Sequence, residues 1–222
     1  MQHQVFDNKR AAKQRLARVT HYRDGAKRWL DIIGVLLLLP AALPLVGLMW
    51  AMARLGGGPG FFGHMRVGQN GARFRCWKIR TMVPDAEARL AAHLVMFPKA
   101  AKEWEQTYKL QKDPRITRLG RFLRKTSLDE LPQLWNVLRG EMSLVGPRPV
   151  PEKELVEYSG YEWAYLTMRP GITGVWQISG RNDVSYRERV QLDVGYLLKA
   201  SVQTDLLVLW KTIGVMLRKT GV

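Results

Sequence analysis

The sequence predicts an α/β chain in which helices dominate and one segment enters a membrane. Three observations carry this. Charge vanishes from Ile32 to Ala53, over IIGVLLLLPAALPLVGLMWAMA. The stretch Arg73 to Arg80 alternates basic and apolar residues, as a half-buried strand does. Most of the remaining periodic stretches have the length of helices. At 222 residues, 46% of them hydrophobic, the chain suits one domain with an appendage.

Residues 1–26 form a basic leader, with Lys9, Arg10, Lys13, Arg15, Arg18 and Arg23. The run that follows, residues 27–55, is long enough to span a hydrocarbon core at about 1.5 Å per residue. Trp29 and Trp50 sit near its ends, where aromatic anchors belong. Two features favour a re-entrant helix–break–helix over a straight crossing. Pro40 and Pro44 each remove a backbone donor in mid-run and favour a kink. Basic residues flank both ends, with Arg54, Arg66 and Arg73 beyond the run, and positive charge favours the cytoplasmic face. The triplet Ala51-Met52-Ala53 would suit a cleaved signal, but run and leader are both long for one. Gly56-Gly57-Gly58-Pro59-Gly60 joins this segment to residues 56–222.

Beyond the joint, Gln69-Asn70-Gly71 reads as a turn and Arg73 to Arg80 as a strand, giving a hairpin with one cationic face. Pro84 precedes a helix with an acidic start, DAEARLAAHLVMF. Further helices are predicted over about Arg115–Lys125, Asp129–Leu138 and Ser185–Lys199, the last with a Ser185/Glu188 capping box. The tail TDLLVLWKTIGVMLRK is apolar around most of its circumference, fit for the core or for a helix lying in a membrane interface.

A formal net charge of +16 asks for an anionic partner: nucleic acid, an anionic membrane or a phosphorylated substrate. No helix-turn-helix, RNP-like, zinc-finger or OB-type pattern supports the first. A single cysteine, Cys76, excludes an intrachain disulfide, and no spaced Cys/His cluster suggests zinc.

The stretch KTSLDELPQ places Asp129 and Glu130 side by side, below a row of cations at Arg115, Arg118, Arg121, Arg124 and Lys125. Ser127-x-x-Glu130 matches a capping box, which makes the pair a salt-bridged helix start. Starting the helix at Asp129 instead puts Pro132 in its first turn and both acids at the positive end of a dipole that also favours phosphate. One acid could then attack phosphorus while the other holds a metal, with arginines screening the anionic approach. Both readings stand on residue chemistry alone.

KIRTM (Lys78–Met82), the long stretch from DPRITRLGRF to VGPRP (Asp113–Pro149), RPGITGVWQISGRNDVSY (Arg169–Tyr186) and LDVGYLL (Leu192–Leu198) resemble the bacterial monotopic phosphoglycosyl transferases. KLQKDPR and SGRNDVSY are most similar to exopolysaccharide starter enzymes that transfer galactose 1-phosphate. The resemblance implies a monotopic protein of the bacterial inner membrane, with a re-entrant helix, interfacial amphipathic helices and a small catalytic domain on the cytoplasmic face. It implies transfer of a sugar 1-phosphate from a UDP-sugar to undecaprenyl phosphate, with UMP released. Asp129 is then the nucleophile, Glu130 with Asp129 holds Mg²⁺, and Arg148 of GPRP contacts phosphate. Lys78, Arg124 and Arg181 are expected around nucleotide or lipid phosphate. The implied partners are UDP-sugar, undecaprenyl phosphate and inner-membrane lipids, not nucleic acid, and a homodimer is compatible. One departure is Leu39-Pro40, where relatives commonly carry Ser-Pro at the helix break.

Overall fold

The computed structural model describes residues 20, 22–107, 110–180 and 184–217. A π-helical turn, Tyr22–Ala26, leads into α1, Lys27–Leu55. Strands β1, Phe61–Val67, and β2, Arg73–Ile79, pair antiparallel from Phe61↔Ile79 to Val67↔Arg73. Asn70 and Gly71 take left-handed backbone in the connection, as a tight hairpin demands. Next come α2, Ala86–Met96, α3, Pro98–Thr107, α4, Arg118–Thr126, and α5, Gln133–Leu138. Then follow β3, Ser143–Val145, the short helices α6, Glu152–Leu155, and α7, Glu162–Leu166, and β4, Gly171–Thr173. The parallel pair β3 and β4 has Ser143 opposite Gly171 and Val145 opposite Thr173. Then come α8, Val175–Ile178, α9, Tyr186–Lys199, and α10, Val202–Leu217. The expected helix dominance and hairpin are borne out. So is the capping box, with Glu188 N donating to Ser185 Oγ and Ser185 N to Glu188.

The expected division of the membrane segment into two helices is not seen. Helix α1 runs from Lys27 to Leu55 through both Pro40 and Pro44. A proline removes one donor but keeps a helical φ, so it need not interrupt the element. Lys27, Asp31, Val35, Ala42, Met49 and Ala53 are buried, with Leu39 and Val46 half-buried between them. That three-to-four spacing is one helical stripe, pressed on the rest of the chain from end to end. Ile33, Leu36, Leu37, Leu38, Leu43, Leu45 and Leu48 face outward and exposed. A helix apolar all round with one covered stripe needs a second apolar medium.

Both ends of α1 dock on the same domain. Near its start, Arg28 donates to the carbonyls of Val137 (2.5 Å) and Leu138 (2.7 Å). Asp31 accepts from Ser143 Oγ and Leu144 N, each at 2.9 Å. Near its end, Arg80 donates to Ala53 O at 2.6 Å, and Met49 and Ala53 pack with Ile79 and Leu123. The main core joins Val35 and Ala42 of α1 to Val137, Met142, Leu144, Val145, Tyr196 and Val208. A second cluster holds Val67, Val150, Tyr158, Tyr165 and Val190, with no α1 residue. Helix α10 is core on one face, at Asp205 and Val208, and apolar and exposed on another, at Leu206, Leu207, Trp210 and Ile213.

Candidate active site

Asp129 is not a helix cap. Helix α4 ends where Ser127 adopts φ 57°, and Leu128–Glu130 then forms a single 3₁₀ turn. Helix α5 starts only at Gln133, with Pro132 in the capping position, where its missing N–H is no loss. The predicted helix start at Asp129 and the dipole argument built on it are therefore corrected. Ser127 makes no side-chain cap, so the capping-box alternative fails too.

Strand β2 brings Lys78 to this turn. The expected single cationic face is also corrected, because the alternation slips phase at Trp77. Arg73 and Arg75 lie on one face, and Lys78 lies on the other with Phe74 and Cys76, both buried. Lys78 Nζ donates to Glu130 Oε1 at 2.6 Å and stands 3.9 Å from Asp129 Oδ2. Asn136, fully buried on α5, fixes the register: its Nδ2 donates to Arg75 O at 2.8 Å, and Trp77 N donates to its Oδ1 at 3.1 Å. Sequence reading gave Asn136 no role. The signal is a polar residue amid the apolar positions of LPQLWNVL, which must find partners when buried.

The row of arginines on α4 divides. Arg118, Arg121 and Lys125 are exposed, while Arg124 turns inward and donates through Nε to Thr81 Oγ1 at 2.9 Å. Gly120 permits that approach, since a Cβ there would sit 2.0 Å from Thr81 O. Arg115 is paired with Asp113, at 2.6 Å for Nη2 to Oδ2.

Burial sets the electrostatics. Asp129 is only 6% exposed, and burial pushes its carboxyl above the ordinary range, aided by Glu130's charge. Lys78 and then Arg124 pull it back part of the way. Burial also works against the Lys78 ammonium, but Glu130 and Asp129 outweigh it and hold Lys78 above its usual value. Arg148 follows β3, exposed, with its guanidinium 5.6 Å from the Trp176 ring and its charge felt at Lys78. Asp129, Glu130, Lys78, Arg124 and Arg148 are thus gathered in one place. Arg181 lies outside the described residues.

No group of three or more His, Cys, Asp or Glu that could hold a metal occurs among the described residues. The acid pair nonetheless fits a hard divalent cation that takes part of its oxygen shell from substrate phosphates. The donors are all oxygen, on one turn, and Glu130's side chain is 32% exposed.

A sequence model of the bacterial sugar transferases matches residues 22–219. The chain belongs to this family. Over 196 residues it is 52% identical to a UDP-galactose-lipid carrier transferase of Erwinia amylovora, covering 88% of this chain and 41% of that protein. An undecaprenyl-phosphate galactose phosphotransferase of Salmonella typhimurium is 48% identical over 195 residues, with 88% and 41% covered. The exopolysaccharide production protein ExoY of Sinorhizobium fredii is 49% identical over 189 residues, with 85% and 84% covered. The chain therefore spans about two fifths of the first two relatives' length and most of the third's. The resemblance expected from the motifs is borne out. Within this bacterial sugar transferase, the fold brings the Asp-Glu pair together with Lys78 and Arg124.

Proposed function

We propose that this sugar transferase moves a sugar 1-phosphate from a UDP-sugar to undecaprenyl phosphate, as the first membrane step of exopolysaccharide or related glycan synthesis. A buried Asp129 carboxylate 3.9 Å from Lys78, beside the Glu130–Lys78 pair, carries the reading. The relatives' names supply the substrate class.

An Asp129 oxygen attacks the β-phosphorus of the donor. The new O–P bond forms as the bridge to the α-phosphate breaks, and the electron pair leaves with UMP. A phosphate oxygen of the lipid then attacks the same phosphorus and frees the Asp129 carboxylate. Lys78 holds Glu130 and draws down Asp129's proton affinity, so the nucleophile is ionised in use. Arg124 and Arg148 offset the charge of the approaching phosphates. Glu130 with Asp129 would hold Mg²⁺, which withdraws charge from the phosphates.

The membrane reading rests on α1. Helix α1 has 29 residues, about 43 Å of helical rise, yet its two ends and covered stripe all meet one domain. Its outward face, with Leu206, Leu207, Trp210 and Ile213 of α10, faces lipid, and the domain sits on the cytoplasmic side of the inner membrane, where UDP-sugars are made. The chain is monotopic in this reading.

The test is UMP release by detergent-solubilised protein given undecaprenyl phosphate, Mg²⁺ and a panel of UDP-sugars, with Asp129→Asn alongside. One active donor and a silent variant are expected. A well-folded wild type that releases UMP from none of them sinks the proposal and favours a non-catalytic membrane scaffold.

A further inference from the structure

Five buried side-chain polar atoms among the described residues have no hydrogen-bond partner. Two of them, Trp176 Nε1 and Arg189 Nε, belong to side chains that meet. The Arg189 guanidinium lies 4.2 Å from the Trp176 ring and 5.3 Å from that of Tyr186. Arg148 approaches the same Trp176 ring at 5.6 Å, so two guanidinium groups share one indole. A buried donor without a partner is costly, and two at one spot ask for a group from outside the chain.

The charges are equally unbalanced. Arg66 of β1 is a third cation, within reach of Arg148's charge. Burial holds the Arg66 and Arg189 guanidinium groups below the usual arginine range, and Arg148's charge lowers both further. None of the three forms an ion pair among the described residues. Glu154 acts on Arg66 only at a distance, and Asp193, which acts on Arg189, is already bonded to Tyr158 at 2.8 Å. Cations that repel one another without a carboxylate between them suit a multivalent anion.

Their position chooses the anion. Arg148 links this group to the reactive pair, since its charge reaches Lys78 as well as Arg66 and Arg189. The remaining cation beside Asp129 is Arg124, whose neighbour Leu123 packs with Met49 and Ala53 of α1. Tyr186, whose ring Arg189 approaches, packs on the cluster that holds no α1 residue. Arg124 thus lies by the membrane helix, and Arg189 packs away from it.

We propose that Arg189, over the Trp176 ring, and Arg66 seat the nucleotide phosphate of the donor, with Arg148 shared between that phosphate and the one transferred. This rests on the transferase reading above and extends it. When the bridge breaks, the electron pair stays on the bridging oxygen and UMP gains a negative charge on its phosphate. The three guanidinium groups stand where that charge appears. The lipid phosphate is left the Arg124 flank.

The test is direct titration of UMP into the full chain in detergent, which needs no turnover. Arg66→Gln, Arg189→Gln and Arg189→Lys are compared with wild type, each checked by melting temperature. The Kd for UMP is expected to rise about tenfold or more in both Gln variants, the loss of one charge-assisted hydrogen bond. Arg189→Lys recovers only part, because an ammonium lacks the planar fork. In turnover, the KM for UDP-sugar rises in step while that for undecaprenyl phosphate stays unchanged. If Arg189→Gln does not fold, Arg66→Gln on the opposite element carries the test.

Unchanged UMP binding in the Gln variants overturns the proposal, as does a raised KM for the lipid in place of the donor. Arginine-dependent UMP binding by a protein that turns over no donor keeps the seat and removes the mechanism at Asp129. Turnover with arginine-independent UMP binding does the reverse.

Discussion

Lys27 meets Asp205, and Lys78 meets Glu130, and the two pairs are built in opposite ways. The first is sealed, with side-chain exposures of 8% and 0%. Asp205 also accepts from Tyr22 at 2.7 Å and Tyr196 at 2.6 Å, so one carboxylate ties the π-helical turn, α1, α9 and α10 together. The second is half open, at 30% and 32%, with a further carboxylate 3.9 Å away and Arg124 and Arg148 beyond it. Charge balanced within the chain holds elements in place. Charge left in surplus beside an opening can receive an anion.

The sharpest way to break this comparison is to mutate each carboxylate. Asp129→Asn should lower turnover by about a thousandfold or more, as removal of a nucleophile does. Its melting temperature should hold or rise. Burial keeps Asp129's carboxyl above its ordinary range, so the ionised form opposes folding at neutral pH, and the amide removes that charge. Asp205→Ala should do the opposite. It strands Lys27 in the interior and is expected to cost about 3–5 kcal/mol in a denaturant titration. Equal loss of stability in both variants would erase the distinction between the pairs.

The next effect concerns pH. Turnover needs ionised Asp129, so its acid limb should lie above the ordinary carboxylate range. Lys78→Met removes the cation that pulls Asp129 down most, and the acid limb should move to higher pH. Arg124→Gln should move it the same way by less. A limb that stays put in both variants would mean another group limits the rate.

The smallest effect belongs to a third buried carboxylate, between the two types. Among the described residues Asp193 is bonded to Tyr158, and burial pushes its carboxyl up from 3.8 to about 7. A raised carboxyl binds its proton more tightly when folded. Its contribution to stability is full below pH 3.8 and is lost as pH rises to about 7. Asp193→Asn should flatten that slope in melting temperature against pH.

What was legible in the sequence was local. The β1–β2 hairpin, the Ser185/Glu188 cap and the charge-free run are each written within a few residues. Asp129, Glu130, Lys78, Arg124 and Arg148 emerged as site residues through motif resemblance, and the fold gathers them. The phase slip at Trp77, which turns Lys78 to the face opposite Arg73 and Arg75, is also written locally. Two things were not legible. Ser127 takes a left-handed conformation that its side chain does not announce, and that shifts the α5 start to Gln133. Arg66 and Arg189 look like ordinary surface cations in the sequence, and only long-range packing brings them under Arg148's charge.

The most direct measurement of the central claim is to trap the intermediate. Wild-type protein is mixed with UDP-galactose or UDP-glucose labelled in the β-phosphate, with Mg²⁺ and no lipid acceptor. The account predicts label bound to protein in step with UMP release, cleared by undecaprenyl phosphate and absent from Asp129→Asn. UMP release that occurs only when the lipid is present, with no bound label at any time, would contradict it, as would bound label that survives in Asp129→Asn.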